Sequence, residues 1–392
     1  MMIIKNTVKY ESKLKVLHIS HTNILSDSRI LKEMIALSNS SFDFKLYGIG
    51  IDNYEYINND NYNQHKNLNI SNQKLIFKEL KFIPLFFRRI FVLIEFYIKA
   101  YIHSKKISPN IIHCHDVTAL PLCYIIKFFL KTKLIYDAHE LESMRNGVGK
   151  KAGFLVFTLE KFLWKKIDHF ISVSPSIIKW YLKRYGAKDN TLILNVPQLE
   201  KKNKVVSKIS LRKKFNLKKN EVIFVYLGIL GKGRNIETLI DSFTNYDIKY
   251  NLVFIGDGEY KTKVIQKSKI FSNIHYHKYI KHDELVHFIK DADFGLCLIE
   301  NISLSDYLCL PNKLFECLNA KLPVLASNFP ELSQAIIKND FGLVCEPTTN
   351  SIVKSLKKIT KRTFKKNLPK EYFWNYQEKQ LLLAYRTLIK DI

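Results

Sequence analysis

The chain alternates short apolar runs with longer amphipathic stretches, and it does so twice. The first series is KVLHIS (15–20), FKLYGIG (44–50), LIFKEL (75–80), IIHCH (111–115), KLIYDAH (133–139), FISVS (170–174) and TLILNV (191–196). Helix-patterned segments stand between most of them, including 28–37, 119–130, 154–166 and 174–185. Parallel neighbours need a crossover and a helix supplies it, so this order specifies an α/β fold with a parallel sheet covered on both faces. At 199–208 the pattern breaks into LEKKNKVVSK, polar and basic, which reads as a linker. The alternation then restarts with VIFVYLG (222–228), NLVFIGDG (251–258), IHYHKY (274–279), FGLCLI (294–299), LPVLAS (322–327) and FGLVC (341–345). A chain of 392 residues exceeds what one core usually holds. The expectation is two doubly wound Rossmann-like domains, 1–202 and 203–371, facing each other across a cleft. The apolar spacing of 372–389 predicts a closing amphipathic helix over 372–392.

Ligands bind open α/β sheets at the carboxyl ends of the strands. In the second half, Gly228 ends a strand and Ile229-Leu-Gly-Lys-Gly-Arg234 follows, a loop that permits close backbone approach to a ligand. It lacks the GK[ST] ending of a Walker A loop. Arg234 opens the next helix and suits a phosphate, while Gly256-Asp257-Gly258 ends the second strand of the cleft. The stretch LPNKLFE (310–316) joins a buried strand to a helix start, where unpaired N–H groups attract anions. Asn312 and Lys313 offer backbone N–H groups, Pro311 cannot, and Lys313 adds a cation. One turn on, Glu316 suits a ribose diol. Phosphate and diol together point to a nucleotide.

In the first half, His18 and His21 flank the first strand and the polar loop 22–27 follows. His113, His115 and Asp116 end another strand, Asp137, His139 and Glu140 the next, and Asn195 the last. Alternation sets His113 and His115 on one face of a strand, which fits inward packing as well as metal ligation. The spacing shows no dense ligand cluster, so no metal is expected. Asp291 and Asp293 form a DxD, but at a helix end before a buried strand they read as boundary residues.

The net charge of +26 raises the question of a polyanionic partner. No zinc finger, basic zipper or aromatic RNA motif accompanies it, so nucleic acid is not expected. Anionic lipid is the better match, and 82–106 (FIPLFFRRIFVLIEFYIKAYIHSKK) is the segment to carry it. Its internal charges argue against a spanning helix. Two readings stay open: a helix packed on the first sheet with the stripe Arg88, Glu95, Lys99 and His103 in water, or an interfacial helix on a membrane. The six cysteines form no CxxC pair, and several lie in apolar runs, as buried thiols of a reducing compartment do. The first residues carry no signal-peptide apolar core, so a cytoplasmic protein is expected.

Taken in order, these motifs resemble the GT-B glycosyltransferases, and more narrowly glycosyltransferase family 4. The resemblance covers nearly the whole chain. It rests on Asp27-Ser-Arg29 through Glu33, 109–116, Tyr136-Asp-Ala-His-Glu140, Ser172-Val-Ser174 and Asn195-Val-Pro197 in the first half. In the second it rests on 228–237, 254–258, 292–296, 310–316 and 322–327. The LPNKLFE form resembles a branch associated with bacterial surface polysaccharides.

The resemblance implies retaining transfer of a sugar from a UDP- or GDP-type nucleotide sugar to a glycan or lipid-linked acceptor. It implies no essential metal and no cofactor beyond the donor substrate. By the same match Arg234 neutralises the donor diphosphate, Glu316 holds the ribose, His139 lies beside the transferred sugar, and the loop from His21 to Asp27 is acceptor-side. The expected donor set is then Gly228, Arg234, Gly256, Asn312, Lys313 and Glu316, with His139, Arg234 and Lys313 catalytic. Two positions depart from the pattern. Leu308 stands where the family has a second glutamate, and Ile229 where it has a basic residue. The alternatives are a sugar-nucleotide epimerase or a phosphorylase on the same frame, or a catalytically silent protein that docks on membranes or polyanions.

Overall fold

The structure, a computed structural model, describes residues 13–52, 68–198, 210–245, 247–280 and 282–390. The linker read at 199–208, the boundary at 202/203 and the residues before Lys13 lie outside the described residues. The first sheet contains β1 (Leu14–Ile19), β2 (Phe44–Ile51), β3 (Asn69–Gln73), β4 (Ile111–His115), β5 (Lys133–Ala138), β6 (His169–Ser172) and β7 (Asn190–Leu192). The second contains β8 (Ile223–Leu227), β9 (Asn251–Ile255), β10 (Ile274–His277), β11 (Phe294–Cys297), β12 (Val324–Ser327) and β13 (Gly342–Cys345). Strand order is β3-β2-β1-β4-β5-β6-β7 in one and β10-β9-β8-β11-β12-β13 in the other. The pairings are parallel, and central strands such as β4 and β8 are buried throughout, as strands covered on both faces must be. The order reverses between β1 and β4 and between β8 and β11, so each sheet opens its crevice there.

One expected strand is wrong. Residues 75–80 hold a single helical turn, Ile76–Glu79, and the third strand is β3, with the sequence NISNQ. An edge strand is only half buried, so β3 carries no apolar run for a hydrophobicity pattern to find.

Seven helices matter for the site: α1 (Ser28–Ser38), α2 (Leu85–Ile107), α3 (Asp116–Leu130), α4 (Lys150–Leu163), α5 (Ile236–Phe243), α6 (Asn312–Asn319) and α7 (Trp374–Ile389). Asp27 starts α1 by accepting from the N–H groups of Arg29 and Ile30. The last helix, α7, returns to the first domain. Gln377 accepts from the Leu194 N–H at 2.9 Å, and the Tyr385 hydroxyl meets His113 Nδ1 at 2.8 Å.

Helix α2 packs on the first domain through Phe96, Ala100 and Ser104. Two members of its charged stripe are tied to the neighbouring turn. Glu95 caps the turn Ile76–Glu79 by accepting from the N–H groups of Ile76 and Phe77, and Lys99 bonds both Glu95 and the Lys74 carbonyl. At Glu95 and Lys99 the reading with the stripe in solvent is therefore corrected, because unpaired N–H groups at a helix start draw the carboxylate inward. No helix among the described residues is long and apolar enough to cross a membrane. All six cysteines are free thiols, five of them buried and Cys309 partly so.

Candidate active site

In the second domain, β8 ends at Gly228 with φ +107°, and its N–H donates to the Ile255 carbonyl at 2.9 Å. A Cβ on Gly256 would fall 1.8 Å from the Gly228 carbonyl oxygen, so only glycine lets the two strand-end loops meet. Gly233, with φ +82°, turns the loop into Arg234, and Asn235 N–H donates to Glu300 at 2.9 Å just before α5. Arg234 Nη1 donates to Asp306 Oδ1 at 2.9 Å. Burial opposes the guanidinium charge, and Asp306 outweighs it.

Lys313, in the first turn of α6, is buried. Its Nζ donates to the Tyr226 hydroxyl at 3.1 Å and lies 4.2 Å from the centre of that ring. Tyr226 in turn donates to the Ile229 carbonyl at 2.8 Å. Burial pushes the Cys297 thiol up to about 12, and Lys313 and Arg234 both act to lower it. Both cations thus bear on the end of β11. Glu316 is buried on the same helix. The Lys232 side chain is exposed, so Lys313 is the better placed companion for Arg234.

The first domain contributes a buried polar network at the ends of β1, β4 and β5. Arg29 forks Asp137 with Nε–Oδ2 at 3.0 Å and Nη2–Oδ1 at 2.9 Å, and its Nε also lies 3.2 Å from Glu33. His139 Nε2 lies 3.1 Å from Asp137 Oδ2, and its Nδ1 lies 3.6 Å from Asp116. Burial works against charge on His139, but Asp116 and Asp137 overcome it and raise the imidazolium to about 10. His18, His113 and His115 go the other way: burial holds their imidazoles low and neutral. Burial also raises Glu33, to about 8.

The strand register makes a denser cluster than sequence spacing indicates. Ligand atoms of His18, Glu33, His113 and His115, and of His115, Asp137 and His139, lie within 4.8 Å of one another. Ring geometry decides how to read them. The rings of His113 and His115 stack at 4.4 Å and 14°, and those of His18 and His113 at 4.7 Å and 30°. Lone pairs lie in the ring plane, so stacked rings aim theirs side by side rather than at one point. His115, Asp137 and His139 already bond one another. His18 Nδ1 also meets His115 Nε2 at 2.9 Å, while His18 Nε2 and His113 Nε2 keep no hydrogen-bond partner among the described residues. Asp291 and Asp293 hold Arg212, and Asp293 also accepts from the Ile223 N–H at 2.8 Å, as boundary residues do.

The two halves meet. Leu141 N–H donates to Ser305 Oγ at 3.1 Å, Ser174 Oγ to the Leu308 carbonyl at 2.7 Å, and Asn146 Nδ2 to the Lys232 carbonyl at 3.3 Å. Leu308 packs against the first domain's core. Glu140 is pushed up by burial, and among the charges acting on it are Arg145, Asp116, Arg234 and Asp306. His139–Glu140 and Arg234–Asp306 thus belong to one cleft. His21 lies at its first-domain side, where Asp116, Arg145, His139 and Asp27 act on it, and Asp27 itself is tied up as the α1 cap.

Sequence reasoning missed Asp306, Glu300 and Tyr385 as site residues. The first left a signal: Ser303-Leu-Ser-Asp306 is a helix-start box, and Ser303 Oγ both accepts from the Asp306 N–H and donates to its carboxylate.

Two family models match, one in each half. "Glycosyltransferase Family 4" covers residues 67–195, and "Glycosyl transferases group 1" covers 207–372. The chain belongs to the GT-B, family 4-like glycosyltransferases.

An uncharacterised glycosyltransferase of Methanocaldococcus jannaschii is 25% identical over 250 residues, 57% of each chain. The chitobiosyldiphosphodolichol beta-mannosyltransferase of Kluyveromyces lactis is 21% identical over 262 residues, 58% of this chain and 57% of that one. The chain thus matches a little over half the length of these curated relatives. Among solved structures, sucrose-phosphate synthase of Thermosynechococcus elongatus superposes with a TM-score of 0.75 at 16% identity, covering 97% of this chain and 100% of that one. Anabaena HepE, solved with UDP-glucose, gives 0.67 at 12%, covering 96% and 99%. These likenesses establish the GT-B fold of this family member.

Proposed function

We propose that the protein transfers a sugar from a UDP- or GDP-type nucleotide sugar to a hydroxyl of a glycan or lipid-linked acceptor, with retention at the anomeric carbon. The observation that carries this reading is the opposition of two charged sets across one cleft. Arg234, Lys313 and the start of α6 suit a diphosphate, and from the first domain come His139, paired with Asp116 and Asp137, and its neighbour Glu140, on which Arg234 acts. Breaking a glycosyl–phosphate bond builds negative charge on the leaving phosphate, and fixed cations stabilise that charge without reorganising. Because His139 keeps its proton at neutral pH, it acts as a donor rather than as the base. The acceptor oxygen then bonds to the anomeric carbon on the face the phosphate leaves, and the acceptor proton passes to a phosphate oxygen. The chemistry calls for no metal. UDP in the HepE structure supports the donor class, and the family supports the reaction class. The surface-polysaccharide role and a place at the inner face of the cell membrane belong to the same proposal.

The test is an assay with a panel of UDP and GDP sugars, with and without acceptors, the product anomer being read by proton NMR. Retained configuration and acceptor-dependent nucleotide release are expected. Acceptor-free conversion of the donor sugar would instead favour an epimerase, and inversion would remove the front-face route. A covalent sugar on Glu140, absent in Glu140→Gln, would replace it with double displacement.

A further inference from the structure

We infer that the outer face of α2, α3 and α4 together docks on a bilayer containing anionic phospholipid. The three helices form one layer over the first sheet, α2 against α3 and α3 against α4. Along α2 the residues Phe86, Ile90, Ile94, Ile98 and Ile102 recur every fourth position, and each is 40–69% exposed. Fourfold spacing makes them one ridge that drifts about 40° around the helix at each step, and Ile94, Ile98 and Ile102 lie opposite the buried Phe96, Ala100 and Ser104. On α3 the outward residues are Ile125, Phe128 and Phe129, and the Phe129 ring meets Tyr101 of α2 edge-on at 6.2 Å. Phe154, Leu155 and Phe162 continue the face on α4 and are 68–72% exposed. Scattered exposed apolar residues are ordinary, but a continuous face across three helices marks a docking surface.

Charge selects the partner. The three helices hold three carboxylates, and all turn inward. Glu95 caps the neighbouring turn, Asp116 lies by His139, and Glu160 is buried, accepting from the hydroxyls of Tyr136, Tyr181 and Tyr185. The charges left exposed on the layer are lysines and arginines: Arg89, Lys105, Lys106, Lys150, Lys151 and Lys161. An apolar face ringed by cations matches acyl chains below anionic headgroups. A second copy of this chain would bring like charges together, and a nucleic acid would leave the apolar rows unused. The chain runs from His139 through Glu142–Met144 into α4, so docking sets the cleft close to the lipid surface. A lipid-linked acceptor would then reach it without leaving the bilayer. This extends the peripheral-membrane reading from α2 to three helices and rests on that reading.

Flotation of the full chain with phosphatidylcholine vesicles, with and without phosphatidylglycerol, tests it. Two double variants remove outward residues only: Phe128→Ser with Phe129→Ser, and Phe154→Ser with Leu155→Ser. The expected result is flotation on the anionic vesicles, with about a tenfold loss of partitioning in each variant while UDP binding and circular dichroism stay unchanged. Variants that float as well as the wild type would overturn the three-helix face and leave α2 as the anchor. A wild type that never floats at low salt would overturn membrane docking altogether. A wild-type dimer abolished by these variants would assign the face to a second copy. Nucleotide-sugar turnover on a soluble acceptor is read separately, so the transferase proposal stands or falls on its own.

Discussion

Arg234 and Asp306 hold each other at 2.9 Å, and the Ser303 hydroxyl fixes the same carboxylate at 2.7 Å. The guanidinium assigned to the donor diphosphate is therefore already paired. Asp306 lies two residues before Leu308, where the family's second glutamate is absent, and it brings a carboxylate back to that side of the cleft. A bound diphosphate has to share Arg234 with it or displace it.

Removing the cation gives the most direct outcome. Arg234→Ala is expected to lower kcat/KM by about 2–4 kcal/mol, the range for losing one charge-stabilising donor. Steady-state kinetics on a variant with native circular dichroism checks it, and near-normal turnover would remove Arg234 from the reaction.

Releasing the cation should do the opposite to binding. Asp306→Asn keeps the Ser303 contacts but no longer neutralises Arg234, and UDP or GDP should bind more tightly by about 1 kcal/mol, the scale of a part-exposed ion pair. Calorimetry is the measurement. Weaker binding would mean that Asp306 orients Arg234 rather than competing with its ligand.

Glu316→Gln probes the diol contact with little change in volume. Affinity for the nucleoside diphosphate should fall by about 1.5–3 kcal/mol with kcat nearly unchanged, because a carboxylate–diol bond exists in ground and transition states alike. Unchanged affinity would give Glu316 a packing role on α6.

His139 carries a pH signature. Its imidazolium persists to about 10 in the fold, against 6.5 for an ordinary histidine. The folded state keeps a proton that the unfolded chain gives up between those values, so stability from this ion network is full below the lower value and is lost as pH rises through the upper one. The Tm gap between wild type and His139→Asn should be widest in acid and narrow steadily toward alkaline pH. A constant gap would mean that the ring is neutral.

Turnover should survive EDTA, because the stacked His18, His113 and His115 rings do not aim their lone pairs at one point. Activity that disappears on chelation and returns with magnesium or manganese would overturn this, and the histidine cluster would then be the first place to look for the ion.

Much of this was legible in the residues, for physical reasons. Buried parallel strands such as β8 and β11 are apolar along their length, so the two sheets stand out. Strand-end glycines mark where backbones approach, as Gly228 and Gly256 do. What sequence hid was tertiary. Edge strand β3 is polar because half of it faces water, and Ile76–Glu79 took its place in the hydrophobic pattern. The Arg29–Asp137 fork joins residues 108 positions apart, and Tyr385 reaches His113 across 272, spans that no local spacing encodes. The inward turn of Glu95 became visible only when the unpaired N–H groups of the neighbouring turn were placed beside it.

The return of α7 to the first domain has a mechanical consequence. Tyr372 still packs on the second domain, its ring 5.1 Å from Phe315 of α6, and Trp374 already lies beneath Lys32 of α1 at 4.9 Å. The polypeptide thus crosses between the halves a second time, beside the helix that carries Lys313 and Glu316. A single residue, Phe373, separates the Tyr372 contact on the second domain from the Trp374 contact on the first, so the halves can part least at this joint. Substitutions at Tyr372 or Trp374 would slacken the joint and scatter the approach of His139, without removing a single group that touches a sugar.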